Sequence, residues 1–158
     1  MKHSPDIQRV IDRMKPGVLS LHGFLGSDRR ELEEILDTDA STVTGLGTTH
    51  RALADALRRA LEKARDAFGS TARVDDRLTA RLLEVKGRIP CPWGDGSFAK
   101  GEVVLTDVPT GERMCFTPLS VHLVAKHGFY NGRGSRWRVE PADVLRLFRL
   151  TRGERDVE

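Results

Sequence analysis

Apolar positions along this chain change their period partway, from the spacing of helices to that of strands. Ile7, Val10, Ile11 and Met14 recur at i, i+3, i+4 and i+7, one stripe of an amphipathic helix. Ser4 supplies an N-cap hydroxyl, Pro5 takes the first helical position where a missing N–H costs nothing, and Pro16-Gly17 ends the element. Ser27 and Asp28, with Glu31 three residues beyond Asp28, read as a capping box for a second helix with Leu32, Ile35 and Leu36 inside. Thr38 or Asp39 starts a further turn or two before Gly45-Leu46-Gly47 breaks the pattern. Thr48 or Thr49 opens the longest helix, predicted to end at Phe68 with Gly69 as a left-handed cap. Its inner face is Leu53, Leu57, Ala60, Leu61, Ala64 and Phe68, and His50 near its start reads as exposed.

From residue 83 the alternation of Leu83, Val85 and Ile89 with Glu84, Lys86 and Arg88 predicts a half-buried strand. Residues 102–106 and 113–116 are two more strands, joined by a loop that holds Pro109 and Gly111. Thr117-Pro118 repeats the cap-and-proline signal and opens a helix stopped at Gly128. Residues 137–139 read as a last short strand, Pro141 starts a final helix with Leu145 and Phe148 inside, and 153–158 read as a frayed tail. No strand–helix–strand alternation occurs. The expected class is α+β: a helical N-terminal part, then a small antiparallel sheet with two C-terminal helices.

With 158 residues, 39% hydrophobic and 31% charged, the composition excludes collagen-like and disordered chains. One domain over 1–158 is expected. Alanine concentrates before residue 87 and aromatics after residue 92, which suggests a subdivision into a helical part, 1–76, and a strand-rich part, 77–152. No apolar run approaches the roughly 20 residues of a membrane helix, and no signal-peptide core follows the N-terminus. Two cysteines without an export signal then point to a cytoplasmic chain without a membrane partner. The net charge of +3 is too weak a field to announce a nucleic-acid binder. The long Ala/Leu helix offers a surface for self-association.

Four stretches carry candidate chemistry. Leu21-His22-Gly23-Phe24-Leu25-Gly26-Ser27 resembles the His-Gly-x-x-Gly-Ser turn that α/β-hydrolases place beside their oxyanion hole. The Gly-x-Ser-x-Gly nucleophile elbow of that family is absent, so the turn has no activated serine to serve and reads as a loop. Cys91, Cys115, His122 and His127 follow the order Cys-x23-Cys-x6-His-x4-His. Two thiolates and two imidazoles suit zinc, although a hairpin has to bring the cysteines together. Five residues separate the histidines by about 140° around an α-helix, so the helix is expected to break before His127.

The third stretch runs from His127 to Arg138, with Lys126 just before it. Lys126, His127, Arg133, Arg136 and Arg138 interleave there with Tyr130 and Trp137, and Gly132 and Gly134 free backbone N–H groups to turn toward an anion. Between residues 120 and 152 seven basic residues face two acids. This is the chemistry of a surface for nucleic acid or a phosphorylated ligand. The fourth, residues 88–101, holds a rigid Pro90-Cys91-Pro92 and a Gly94-Asp95-Gly96 turn; Lys100 there is a candidate to share a surface with residues 133–138, a placement that the sequence alone does not fix. The first functional expectation is therefore a non-catalytic binding module for an anionic partner. The alternatives are a zinc-stabilised module, and an enzyme of undetermined class with its site between 93–100 and 127–138. No acid/base pair or nucleophile motif singles out an enzyme class.

Overall fold

A computed structural model describes residues 4–150; the expected tail at 153–158 lies outside them. Helix α1 spans Pro5–Arg13, and the Ser4 hydroxyl accepts from the Ile7 N–H as its cap. Helix α2 spans Leu32–Gly45 and α3 His50–Asp66, capped by the Thr49 hydroxyl on the Ala52 N–H. Strands β1 (Ala72–Arg73), β2 (Leu78–Pro90), β3 (Ser97–Asp107) and β4 (Arg113–Phe116) follow. They form one antiparallel sheet in sequential order. Helix α4 (Pro118–His122) runs directly into a π-helical turn at Leu123–His127, and α5 spans Pro141–Leu147. The fold is α+β, with N-terminal helices, a central four-stranded antiparallel sheet and C-terminal helices.

Two apolar cores result. The larger packs α3 on the sheet and α5, through Leu53, Leu57, Leu78, Leu105, Phe116 and Val144. The smaller gathers Val10 and Met14 of α1, Phe24, Ile35, Cys91, Leu119, Leu123 and Phe129. Helix α4 and its π turn feed both, with Val121 and Val124 in the first and Leu119 and Leu123 in the second.

Several sequence expectations are corrected. Asp28 opens no helix: α2 begins at Leu32 without a side-chain cap, because the Asp28 carboxylate is engaged by Arg30 and by the Arg133 N–H. Phe68 is 93% exposed, since α3 ends at Asp66 and the chain passes through φ 50° at Phe68 before turning into β1. Strand β2 buries Leu78, Ala80 and Leu82, the parity opposite to that expected, and leaves Leu83 and Val85 exposed. A bulge between Glu84 and Arg88 resets the register, so Ile89 packs against the smaller core. Residues 137–139 form no strand; Arg138 instead turns inward to a buried pair with Asp39. His50 is half-buried, its Nδ1 2.8 Å from the Tyr130 hydroxyl.

Candidate metal centre

The β2–β3 hairpin turns through Pro90-Cys91-Pro92-Trp93-Gly94-Asp95-Gly96. The Cys91 N–H donates to the Gly96 carbonyl and the Gly94 N–H to the Cys91 carbonyl, each at 2.8 Å. Gly94, at φ 81°, and Gly96, at φ 154°, take conformations that other residues rarely adopt. This turn folds Asp95 back beside Cys91. The loop is also tied to α1, where Arg13 donates to the Pro92 carbonyl at 2.8 Å.

The facing side comes from α4 and the π turn. A π turn closes i→i+5 hydrogen bonds, so residues five apart return to one face. The Gly128 N–H reaches the Leu123 carbonyl, and Gly128 ends the turn in the left-handed region at φ 59°. The helix therefore does not break between the histidines, as expected from α-helical spacing; it widens, and His122 and His127 meet with ring centres 5.5 Å apart. Such turns are costly and concentrate at functional sites.

Cys91, Asp95, His122 and His127 each bring one donor atom to within 4.8 Å of all the others. His122 Nε2 donates to Asp95 Oδ1 and His127 Nε2 to Asp95 Oδ2, both at 2.9 Å. A carboxylate accepts only, so both imidazoles carry their proton on Nε2. Trp93 stacks on the His127 ring at 4.1 Å and 7°, and Phe98 lies 4.7 Å from the His122 ring. Those contacts set both ring orientations. Burial would raise Asp95, but hydrogen bonds from Cys91 and His122 and the nearby imidazoles hold it well below the usual carboxylate range. Burial, opposed by Asp95, keeps His127 below the ordinary histidine value. Burial and the hydrogen bond to Asp95 push the Cys91 thiol up to about 12.

Sulfur, carboxylate oxygen and two imidazole nitrogens form a donor set that suits a divalent transition metal. At bond lengths of about 2.0–2.3 Å, tetrahedral ligands stand roughly 3.3–3.8 Å apart, so a small contraction of the widest pair and an opening of the Asp95–His contacts would complete the shell. The same groups also include the thiol, imidazole and carboxylate of a cysteine nucleophile. That use is disfavoured. Cys91 is 1% exposed, and its thiol is raised where a nucleophile needs it lowered.

Cys115 is not a member of this set. It sits on β4 opposite Val104, with its thiol hydrogen-bonded to Glu102, and Asp95 takes the fourth place. Asp95 was visible as a turn residue, but only the folded hairpin shows it as a donor.

The seven residues of the basic stretch do not gather on one face. His127 belongs to the cluster. Tyr130 is buried on His50. Arg138 is held by both Asp39 oxygens at 2.7 and 2.9 Å, by Glu140 and by the Asn131 carbonyl. Lys126, Arg133 and Arg136 stay exposed, and Trp137 is half-buried beneath Arg136, whose guanidinium lies 5.1 Å from its ring centre. The anion that meets the glycine loop is internal: Arg133 N–H donates to Asp28 Oδ2 at 3.0 Å. The loop and the hydrolase-like turn are two halves of one clasp. Gly132 N–H donates to the Phe24 carbonyl and Ser27 N–H to the Arg133 carbonyl. A Cβ on Gly26 would stand 2.2 Å from Ser135 N, and one on Gly132 2.3 Å from the Leu25 carbonyl oxygen. These glycines serve backbone-to-backbone packing.

Among the described residues no helix is long and apolar enough to cross a membrane. No family model, curated protein or solved structure matches this chain.

Proposed function

We propose that the protein is a metal-stabilised module in which Cys91, Asp95, His122 and His127 hold one zinc ion. The observation that carries this is the convergence of four donor atoms from two distant segments within 4.8 Å, brought about by a π turn that regular helix geometry would not supply. Four protein ligands fill a tetrahedral shell and leave no open position, the arrangement of a structural rather than a catalytic ion.

The fold supplies a reason for the tether. β1 pairs with β2 only at Thr79 and Ala80, and β4 pairs with β3 only from Val103 onward. The arm of the hairpin beyond Leu82 and Val103 is thus two-stranded, and such ribbons are marginal in water by themselves. An ion binding the arm's tip to α4 would supply the missing constraint, and its binding free energy would become folding free energy.

The test is metal analysis of protein purified without added metal, followed by thermal melting with and without chelator. About one zinc per chain and a melting temperature lowered by chelation are expected. A metal-free chain that refuses zinc, or a melt indifferent to both, rejects the reading.

A further inference from the structure

A second site lies along the hairpin arm, between its tip and its base. A cleft of about 310 Å³ opens between the arm, the 20–24 loop and the 131–137 segment. That volume sits at the lower end of small-molecule pockets. Its walls include Leu21, Val85, Ile89, Leu119 and Leu123. Leu21 is 78% and Val85 59% exposed, so two of the six exposed large apolar side chains among the described residues border the same opening.

The cleft's charged groups are two cations, Lys100 and Arg136, and one carboxylate, Glu102, among neutral hydroxyl and amide groups. Lys100 reaches it from β3 and Arg136 from the opposite side. Lys100 has no carboxylate partner among the described residues. Arg136 is 59% exposed and makes a long ion pair, 3.8 Å, with Glu102, which also accepts from the Cys115 thiol. Beneath Arg136, the Trp137 indole N–H is buried and lacks a hydrogen-bond acceptor among the described residues. A buried donor without an acceptor calls for a partner.

We infer that this cleft binds a small organic anion: an apolar body against Val85, Ile89 and Leu123, with a carboxylate or similar group held by Lys100 and Arg136. Charge complementarity selects the anion and the apolar walls select its body. Acceptor oxygens are what the Lys100 ammonium and the exposed Arg136 guanidinium require, and the Trp137 ring in the cleft lining reports their arrival. The volume matches a small molecule. The observations behind it are separate from the metal cluster, while the arm that forms one wall of the cleft is the one the ion would pin, so the decisive titration uses protein with the ion bound if it takes one.

The probe is octanoate, with acetate as the charge-only control and 1-octanol as the apolar-only control. The full chain contains two tryptophans, so the two indole N–H signals in a nitrogen-15 correlation spectrum, assigned with Trp137→Phe, report on the cleft directly. Octanoate is expected to shift the Trp137 signal saturably and leave Trp93 unmoved, with acetate and 1-octanol at least tenfold weaker. Lys100→Gln combined with Arg136→Gln, both on exposed side chains, should weaken octanoate about a hundredfold, the loss of two charge-assisted hydrogen bonds. Val85→Glu, which sets a like charge on the wall, should weaken it as well. Absence of a saturable shift in the wild-type chain overturns the inference, as does equal binding of octanoate and octanol, or undiminished affinity in the Lys100/Arg136 variant. Titrations with zinc-loaded and chelated protein separate the two readings, since a chain that takes octanoate but no zinc rejects only the metal centre.

Discussion

Cys91 and Cys115 are alike in sequence and opposite in place. Cys91 lies in the rigid hairpin turn with a carboxylate and two imidazoles before it, whereas Cys115 hydrogen-bonds Glu102 on an edge strand. Cys91→Ser or Asp95→Asn should therefore lower zinc affinity by more than about a hundredfold, exceeding what the loss of a residue merely supporting a ligand costs. Cys115→Ser should leave affinity unchanged. Competition with a chromophoric chelator measures all three. A cobalt(II) form gives a second readout: thiolate-to-metal absorption retained in Cys115→Ser and lost in Cys91→Ser. Should Cys115→Ser abolish metal binding while Cys91→Ser spares it, the assignment of the ligands is wrong.

At the scale of elements, the two glycine-bearing motifs most suggestive of chemistry explain each other. Residues 22–27 and 131–135 close on one another through main-chain hydrogen bonds and the Asp28 carboxylate. Gly132 needs no unusual φ, so Gly132→Ala tests packing alone. Its Cβ would meet backbone that cannot move aside as a side chain can. A loss of about 3 kcal/mol in denaturant unfolding is expected, at the upper end of overpacking costs. The π turn carries a different dependence. A Cβ on Gly128 would stand 2.7 Å from His50 Nε2 and would sit at φ 59°. Gly128→Ala should cost about 2 kcal/mol, combining left-handed strain with the clash. Pairing it with His50→Ala should give less than the sum of the single losses, because part of the cost is shared. Strict additivity in that cycle would show that the ring contact carries no energy.

On the scale of the whole molecule, the sheet is anchored unevenly. Residues 78–82 and 103–107 lie on the core of α3, while the arm between them reaches out to the candidate metal centre. Removing the ion should release the arm first. Hydrogen exchange is expected to quicken at 84–101 on chelation, with 78–82 and 103–107 keeping their protection as parts of the main core. A uniform change across the sheet would mean that the ion, if bound, stabilises the chain globally instead of pinning the hairpin.

Much of the architecture was legible in the residue order, because helix caps, 3.6-residue stripes and turn residues act over a few positions. Ser4, Thr49 and Thr117 cap the helices they were expected to cap, and the α+β class follows from the order of the elements. Of the metal set, Cys91, His122 and His127 were readable from donor chemistry. What tertiary structure alone decided depends on contacts between distant segments. The parity of β2 was set by which face met α3. The exchange of Cys115 for Asp95 was set by how the hairpin turn closed, and the return of His127 to the face of His122 by a single widened helical turn. Arg138 and Tyr130 carry no local sign that Asp39 and His50 await them. Local pattern determines elements; which side chains are consumed inside the fold is decided by partners that can lie 105 residues away, and that pairing has no period to read.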